Sequence, residues 1–154
     1  MPDSPSDSSR EPRLVRGPVV FVCVENAGRS QMAEAFAKKH GMNAQSAGTI
    51  PSTRINPTVV DVMRERGIDI SSNHPKTLTP ELIRDASLVV AMGCSIEEAC
   101  PKPIFAQMQR KLIEWHLEDP KGKPLEEVRK IRDAIESKVA ELSKSTEVLH
   151  DPSS

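Results

Sequence analysis

The sequence predicts an α/β protein: a single three-layer domain in which a central four-stranded parallel sheet carries helices on both faces. Two observations support this fold class. Short runs rich in β-branched residues are bounded by turn residues and followed by stretches of good helix formers, and the two kinds of segment alternate along the 154-residue chain. Such alternation is typical of parallel sheets, because a helix must cross back between successive strands.

Each element has its own local signal in the sequence. The strands are predicted at 14–24 (ordered from Val19), 42–49, 86–92 and 112–117. The helices are predicted at 29–40, at 56–67, in a short segment that starts at 79, and at 125–142, where apolar residues recur every three or four positions. Gly41 ends the first helix, and Asn56 followed by Pro57 starts the second. A turn is predicted at 46–48, and a loop or frayed helix at 93–103.

Composition fits one globular domain. Hydrophobic residues make up 37% of the chain and charged residues 28%, and the length is sufficient to bury a core. Residues 1–17, rich in proline and serine, are predicted to be a disordered N-terminal extension. The folded domain is predicted at 18–142, and residues 143–154 are predicted to be a frayed C-terminal tail.

Charge and hydropathy argue against several classes of protein. The formal net charge of −1 offers no basic excess for binding nucleic acid. The longest apolar run, 19–24, is too short to span a bilayer, and the N-terminus lacks the apolar core of a signal peptide. We therefore expect a cytoplasmic protein that binds neither nucleic acid nor membrane. A monomer is expected as well, although composition and charge do not determine the oligomeric state. In that compartment its three cysteines favour reactivity or metal binding over structural disulfides.

The segment from Cys23 to Ser30 carries the candidate chemistry. A C-x5-R-S pattern stands where the first β-branched run meets the first helical run, so its loop is predicted at a helix N-terminus. Free amide N–H groups and the positive end of the helix dipole attract an oxyanion there, and the same field favours a thiolate. Arg29 adds a planar guanidinium that can hold two oxygens of a tetrahedral anion. The candidate oxyanion-binding residues are Glu25, Asn26, Ala27, Gly28, Arg29 and Ser30. The alternative is a buried core cysteine with Arg29 on the helix surface.

Three residues of this loop carry separate expectations. Ser30 either donates a hydrogen bond to the thiolate or caps the helix. Asn26 is expected to hold the loop, because asparagine tolerates a positive φ and bonds locally. Glu25 is acceptable beside an anion only if its carboxylate points outward while its N–H points inward.

Four polar residues are expected at one edge of the sheet. Each follows a predicted strand, and ligands bind beyond the carboxyl ends of parallel strands. These residues are Cys23, Ser46, Cys94 and Asp119.

Residues 19–36 resemble the signature of the low-molecular-weight tyrosine phosphatase superfamily. The run most similar to its arsenate reductase branch is Cys23-Val-Glu-Asn-Ala-Gly-Arg29-Ser-Gln-Met-Ala-Glu. Two further stretches, 92–101 and 115–120, agree, and the similarity extends over about 19–142. The resemblance implies the low-molecular-weight phosphatase fold, with 18–142 as a catalytic domain. It also implies Cys23 as nucleophile, Arg29 as oxyanion clamp and Asp119 as general acid; the alternative for Asp119 is an Asp-Pro turn.

The resemblance also implies a thiol relay by Cys94 and Cys100. Arsenate would form an adduct with Cys23, and Cys94 would attack the Cys23 sulfur, so that two electrons pass to arsenic and arsenite leaves. Cys100 would then carry the disulfide outward to a dithiol reductant such as thioredoxin. The order of attack stays open. A regular helix would hold the two thiols too far apart to bond, so the relay needs a loop or an unwound helix; the alternative is two ordinary buried cysteines.

No bound cofactor is expected, only an external thiol reductant. The histidines and cysteines lack the spacing of a zinc site, so no metal is predicted, and whether a monovalent cation binds stays open. Two other functions compete with arsenate reduction: phosphomonoester hydrolysis through a phosphocysteine, and a thiolate sensor or chaperone that holds arsenite. The phosphatases of the family typically carry tyrosines after the Asp-Pro. Here 121–123 is Lys-Gly-Lys and the chain has no tyrosine, which favours the reductase.

Overall fold

The structure is a computed structural model that describes residues 17–93 and 111–145. Its strands are β1 (Val19–Cys23), β2 (Ala44–Gly48), β3 (Leu88–Ala91) and β4 (Leu112–Glu114). Its helices are α1 (Arg29–Lys39), α2 (Pro57–Arg64), α3 (Pro80–Asp85) and α4 (Leu125–Ser145). The strands form one parallel sheet in the order β2-β1-β3-β4, so the predicted α/β class is confirmed.

The central strand β1 is buried on both faces of the sheet. Val19, Phe21 and Cys23 contribute to a core with residues of α1, α2 and α4, whereas Val20 and Val22 contribute to a smaller core with α3. This division follows from the alternation of side chains along a strand. Cys23 therefore lies at the carboxyl end of β1, on the side of the larger core.

The long helix α4 closes the larger core and joins α2 through an ion cluster. Its buried apolar residues are Val128, Ile131, Ile135 and Val139, at the predicted helical spacing. Glu65, just after α2, accepts hydrogen bonds from Arg129 at 2.7 Å and from Arg132 at 2.6 Å. The hydrogen bonds from these two arginines lower the pKa of Glu65 to about 2. Within the described ranges, no helix combines the length and apolar character of a membrane span.

Several element bounds differ from the sequence-based expectation. The turn predicted at 46–48 is wrong, because these residues are the last three of β2 and pair with 21–23 of β1. The last strand is shorter than predicted: Trp115 donates one more hydrogen bond to Ala91, and the chain then leaves the sheet. The loop or frayed helix predicted at 93–103 lies outside the described residues except for Gly93.

Replacing Glu65 by glutamine should lower the melting temperature at neutral pH, because the charged carboxylate accepts from two arginines. Its pKa is about 2 in the folded protein against a reference value of 4.5, so its contribution to stability is complete above about pH 4.5 and is lost as the pH falls toward about 2. The difference in Tm between wild type and Glu65→Gln should therefore be largest near neutral pH and shrink across that window. Thermal melts followed by circular dichroism measure it.

The matched control is Glu127→Gln, which removes a carboxylate of α4 that pairs only with an exposed lysine among the described residues. That change should leave Tm nearly unaltered. A Tm difference for Glu65→Gln that stays constant down to the lowest pH would contradict the linkage.

Candidate active site

Cys23 ends β1, and residues 24–28 form the loop that leads into α1 at Arg29. The strand, loop and helix therefore follow one another as the sequence predicts. Cys23 is only 2% exposed, yet it lines a cavity of about 320 Å³ that is open to solvent. Residues 52–57 and 119–122 form the other walls of this cavity.

The carbonyl groups of the loop are held by the chain that follows β2. Three of them accept backbone hydrogen bonds from that segment, in the pairs Ile50–Val24 at 2.8 Å, Ser52–Glu25 at 3.0 Å and Asn56–Ala27 at 2.9 Å. In a trans peptide the C=O and the next N–H point in opposite directions. The N–H groups of Glu25, Asn26 and Gly28 are therefore directed away from that segment, and that of Asn26 donates to Cys23 Sγ at 3.2 Å. Amides that point to one side of a loop in this way can form a concave anion-binding site.

The sulfur of Cys23 has a second polar neighbour in Ser30. The Cys23 Sγ to Ser30 Oγ distance is 2.9 Å, and Asn26 Nδ2 donates to the same Ser30 oxygen at 2.7 Å. Because that oxygen already accepts from Asn26, its own proton is available to the sulfur. Among the residues that the structure describes, no side chain caps α1, whose N-cap is Gly28. Of the two roles expected for Ser30, the geometry fits the hydrogen-bond donor.

Asn26 holds the loop through its backbone conformation and its side chain. Its φ is 54°, the one positive φ at a non-glycine position within the described ranges. Its Oδ1 accepts from the Lys76 backbone N–H at 2.8 Å and from Gln31 Nε2 at 3.0 Å. These contacts offset the strain of a left-handed asparagine.

Gln31 is the positioning residue that the sequence analysis missed. It is fully buried, and its amide group bonds to three other residues: Nε2 donates to both oxygens of Asn26 and to the His74 carbonyl, and Oε1 accepts from Asn73. It thereby fastens the anion loop to residues 73–77, which run beside the end of β2. The only signal in the sequence was a polar residue on the inward side of the first turn of α1.

Arg29 projects a buried guanidinium group toward the cavity. Its Nη1 donates to the Leu117 carbonyl at 3.1 Å, and its Nη2 lies 3.9 Å from Asp119 Oδ2. Its Nε is buried and has no hydrogen-bond partner within the described residues. A buried donor of a charged group is costly to leave unpaired. An oxyanion held over the loop amides would supply the missing acceptor.

Asp119 lies across the cavity from the anion loop. Its side chain is 55% exposed, and its Oδ1 accepts from the Lys121 backbone N–H at 3.0 Å. Pro120 packs against Gly28, where an added Cβ would lie 2.8 Å from the proline ring. Asp119 can therefore form the Asp-Pro turn and still present its carboxylate to the cavity, so the two roles considered for it do not exclude each other.

Glu25 meets the condition set for it by the sequence analysis. Its Oε2 accepts from Lys121 Nζ at 3.0 Å, while its backbone N–H belongs to the inward-facing set. The acidic side chain is therefore paired with a lysine instead of occupying the anion position.

The expectation that four strand ends meet at this edge holds only in part. Ser46 lies inside β2 rather than after it and donates to the buried carboxylate of Glu34, so it does not line the cavity. Cys94 and Cys100 lie outside the described residues. Across 17–93 and 111–145, no group of three or more histidine, cysteine, aspartate or glutamate side chains could hold a metal.

The fold and the site place a cysteine at the carboxyl end of a parallel strand, within a loop whose amides and neighbouring arginine could hold a tetrahedral oxyanion. The chain belongs to the low molecular weight phosphotyrosine protein phosphatase family, whose model matches residues 18–151. The resemblance expected from the loop sequence is thereby confirmed.

Several relatives are similar over most of the chain. An arsenate reductase of Staphylococcus aureus is 34% identical over 125 residues, which cover 79% of this chain and 92% of that protein. A solved arsenate reductase in its phosphate binding state is 34% identical, has a TM-score of 0.73, and matches 84% of this chain and 98% of its own. The YwlE arginine phosphatase of Geobacillus stearothermophilus is 25% identical, with a TM-score of 0.75 over 84% of this chain and 92% of its own.

Replacing Gly93 by alanine should weaken oxyanion binding through Arg29. Gly93 has a φ of +89°, and a Cβ there would lie 2.4 Å from Arg29 Nη1, so the guanidinium would have to move. The affinity for inorganic phosphate should fall about tenfold or more, because a charge-assisted hydrogen bond from Arg29 is lost. Isothermal titration calorimetry with phosphate measures it.

Gly67→Ala is the matched control, because Gly67 has a φ of +76° with nothing within 4 Å of an added Cβ. Both variants carry the strain of alanine in a left-handed conformation, about 1–2 kcal/mol, so their melting temperatures should fall together. Equal phosphate affinity in the two variants would refute the role assigned to the Gly93–Arg29 contact.

Proposed function

We propose that this protein is an arsenate reductase that converts arsenate to arsenite, in a role of arsenic detoxification. The observation that carries the proposal is Arg29, whose buried Nε has no hydrogen-bond partner among the described residues and which lines one cavity with Cys23, whose sulfur accepts from the Asn26 amide. An oxyanion bound in this cavity would give that Nε an acceptor. The names of the relatives support arsenate as that anion, as does the absence of tyrosine from the chain.

In the first step, arsenate binds between the loop amides and the Arg29 guanidinium, which lies where negative charge develops. The Cys23 thiolate attacks arsenic. Asp119, as its acid, protonates the oxygen that departs, so that the leaving group is water rather than hydroxide. The product is a covalent adduct with a bond between Cys23 sulfur and arsenic(V).

In the second step, Cys94 and Cys100 supply the electrons. One of the two thiolates attacks the Cys23 sulfur, the sulfur–arsenic bond breaks, and its electron pair reduces arsenic(V) to arsenite. The other thiolate then displaces Cys23 from the mixed disulfide and leaves a Cys94–Cys100 disulfide. Support for this step comes from Gly93, which lies against the Arg29 guanidinium and directly precedes Cys94 in the sequence.

The cycle ends when an external dithiol, such as thioredoxin, reduces the Cys94–Cys100 disulfide. No bound cofactor takes part, because the three cysteines handle both electrons by thiol exchange. We propose that the chain acts as a cytoplasmic monomer, with a catalytic domain that begins at 18 and extends past the predicted end at 142, because α4 continues to Ser145.

Cys94→Ser and Cys100→Ser should each stop arsenate turnover, with a loss of about 100-fold or more, because either change interrupts the relay. Arsenate-dependent NADPH oxidation, with thioredoxin and its reductase supplied, measures the turnover. Mass spectrometry after one turnover of the wild type should find the Cys94–Cys100 disulfide.

The control activity for these variants is hydrolysis of p-nitrophenyl phosphate, which needs only Cys23, Arg29 and Asp119. That activity should survive in both serine variants and disappear in Cys23→Ser. Full arsenate turnover in either relay variant would refute the relay.

Asp119→Asn should lower kcat for arsenate reduction by about 100-fold, the usual contribution of a general acid, and leave KM nearly unchanged. The asparagine oxygen can still accept from the Lys121 N–H, so the turn is preserved and the loss reports proton transfer. Steady-state kinetics measure both constants. An unchanged kcat would remove Asp119 from the mechanism.

Phosphomonoester hydrolysis is the second candidate function. The observation in its favour is that Cys23, Arg29 and Asp119, which suffice for a phosphocysteine route, all line one cavity. The cavity lining within the described residues contains no aromatic side chain to hold an aryl ester. We therefore place hydrolysis second to arsenate reduction.

A further inference from the structure

Two opposite charges meet at the mouth of the cavity without a part in the chemistry proposed above. Glu25 comes from the anion loop, and Lys121 comes two residues after Asp119. Lys121 Nζ lies 3.0 Å from Glu25 Oε2, and both residues line the cavity together with Cys23. The pair therefore bridges the two loops that carry the nucleophile and the candidate acid.

Lys121 is held at both of its ends. Its backbone N–H donates to Asp119 Oδ1 at 3.0 Å, while its ammonium group reaches back to Glu25. The hydrogen bond that Lys121 donates to Glu25 and the attraction of the Glu25 charge raise the pKa of Lys121 above its usual value. Lys121 therefore stays cationic at any pH at which the anion loop would be in use.

The charge of Glu25 would oppose anion binding if nothing neutralised it. Its backbone N–H belongs to the inward-facing set of amides. The same residue therefore contributes both an amide to the anion position and a carboxylate near it. Nearby like charges repel each other even in a high-dielectric setting. The Glu25 carboxylate would repel a doubly charged oxyanion twice as strongly as a singly charged one. The other charged groups that line the cavity are Arg29, Arg54 and Asp119.

We propose that Lys121 determines which anions the site accepts, by cancelling the charge of Glu25 at the mouth of the cavity so that doubly charged tetrahedral oxyanions can bind. The inference rests on the proposed function, in that it takes the loop over Cys23 to be an oxyanion site. It extends that function, because it assigns the preference for doubly charged anions to the Glu25–Lys121 ion pair, which takes no part in the reaction itself.

A purely mechanical role for the pair predicts a different result. If Glu25 and Lys121 only fastened the two loops together, removing either partner would break the same bond and weaken anion binding equally. Charge cancellation instead predicts effects of opposite sign. Loss of Lys121 leaves a free negative charge, and loss of the Glu25 charge leaves a free positive one.

The test is the affinity for inorganic phosphate, measured by titration calorimetry at low ionic strength. Lys121→Gln should weaken binding about three- to tenfold, Glu25→Gln should strengthen it about two- to fivefold, and the double variant should return to about the wild-type value. The effect of Lys121→Gln should shrink at high salt, and also at lower pH, where phosphate takes up its second proton.

Lys123→Gln is the matched control, because it removes the same charge two residues away, where Lys123 pairs with Glu118 outside the cavity lining. It should change phosphate affinity less than Lys121→Gln does. The proposal is overturned if both single variants shift affinity in the same direction, if neither shifts it, or if the wild type does not bind phosphate. The readout is phosphate binding and does not depend on arsenate reduction. If the variants show the expected affinities but the protein does not reduce arsenate, the proposed reductase activity is wrong and the role of Lys121 still holds.

Discussion

The active site depends on one backbone constraint: the carbonyl groups of the anion loop are tied to the chain that follows β2. Three hydrogen bonds, donated by the N–H groups of residues 50, 52 and 56, orient those carbonyls. The intervening amides must then point the other way, because each peptide unit is planar and trans. A concave set of donors at the end of β1 follows from how the neighbouring chain runs, before any side chain is considered.

That constraint explains why the end of β2 is glycine. Gly48 pairs with Cys23, and a Cβ on it would lie 2.7 Å from the Val24 carbonyl and 2.9 Å from the Asn26 nitrogen. Only a residue without a side chain lets the second strand pass this close to the loop. Side chains then add what the backbone cannot supply: Ser30 and Arg29 provide the charge-matching donors, and Gln31 fixes Asn26 in its left-handed conformation.

Local signals in the sequence were sufficient for most of the fold and for the centre of the site. Asn56 with Pro57, and Thr79 with Pro80, start helices because their side chains accept from backbone N–H groups two or three residues ahead. The loop motif likewise lies within eight residues. The turn predicted at 46–48 failed because serine, alanine and glycine are weak strand formers, and pairing with β1 overrides that preference.

Contacts between residues distant in the sequence could not be predicted in the same way. Gln31 meets Asn73 and His74 across more than forty positions, and Glu25 meets Lys121 across 96. No periodicity links such pairs, because the sheet order brings them together. Sequence alone could state the condition that Glu25 must satisfy, and only the fold could identify Lys121 as the partner that satisfies it.

The most direct test of the central claim is the response of the backbone amides to phosphate, followed by nitrogen-15 NMR. If the loop amides form the anion site, the amide signals of Glu25, Asn26, Gly28 and Arg29, together with the Arg29 Nε signal, will shift as phosphate binds, while those along residues 73–77 will move little. Phosphate binding that leaves the loop amides unmoved, or that shifts another surface instead, would contradict it.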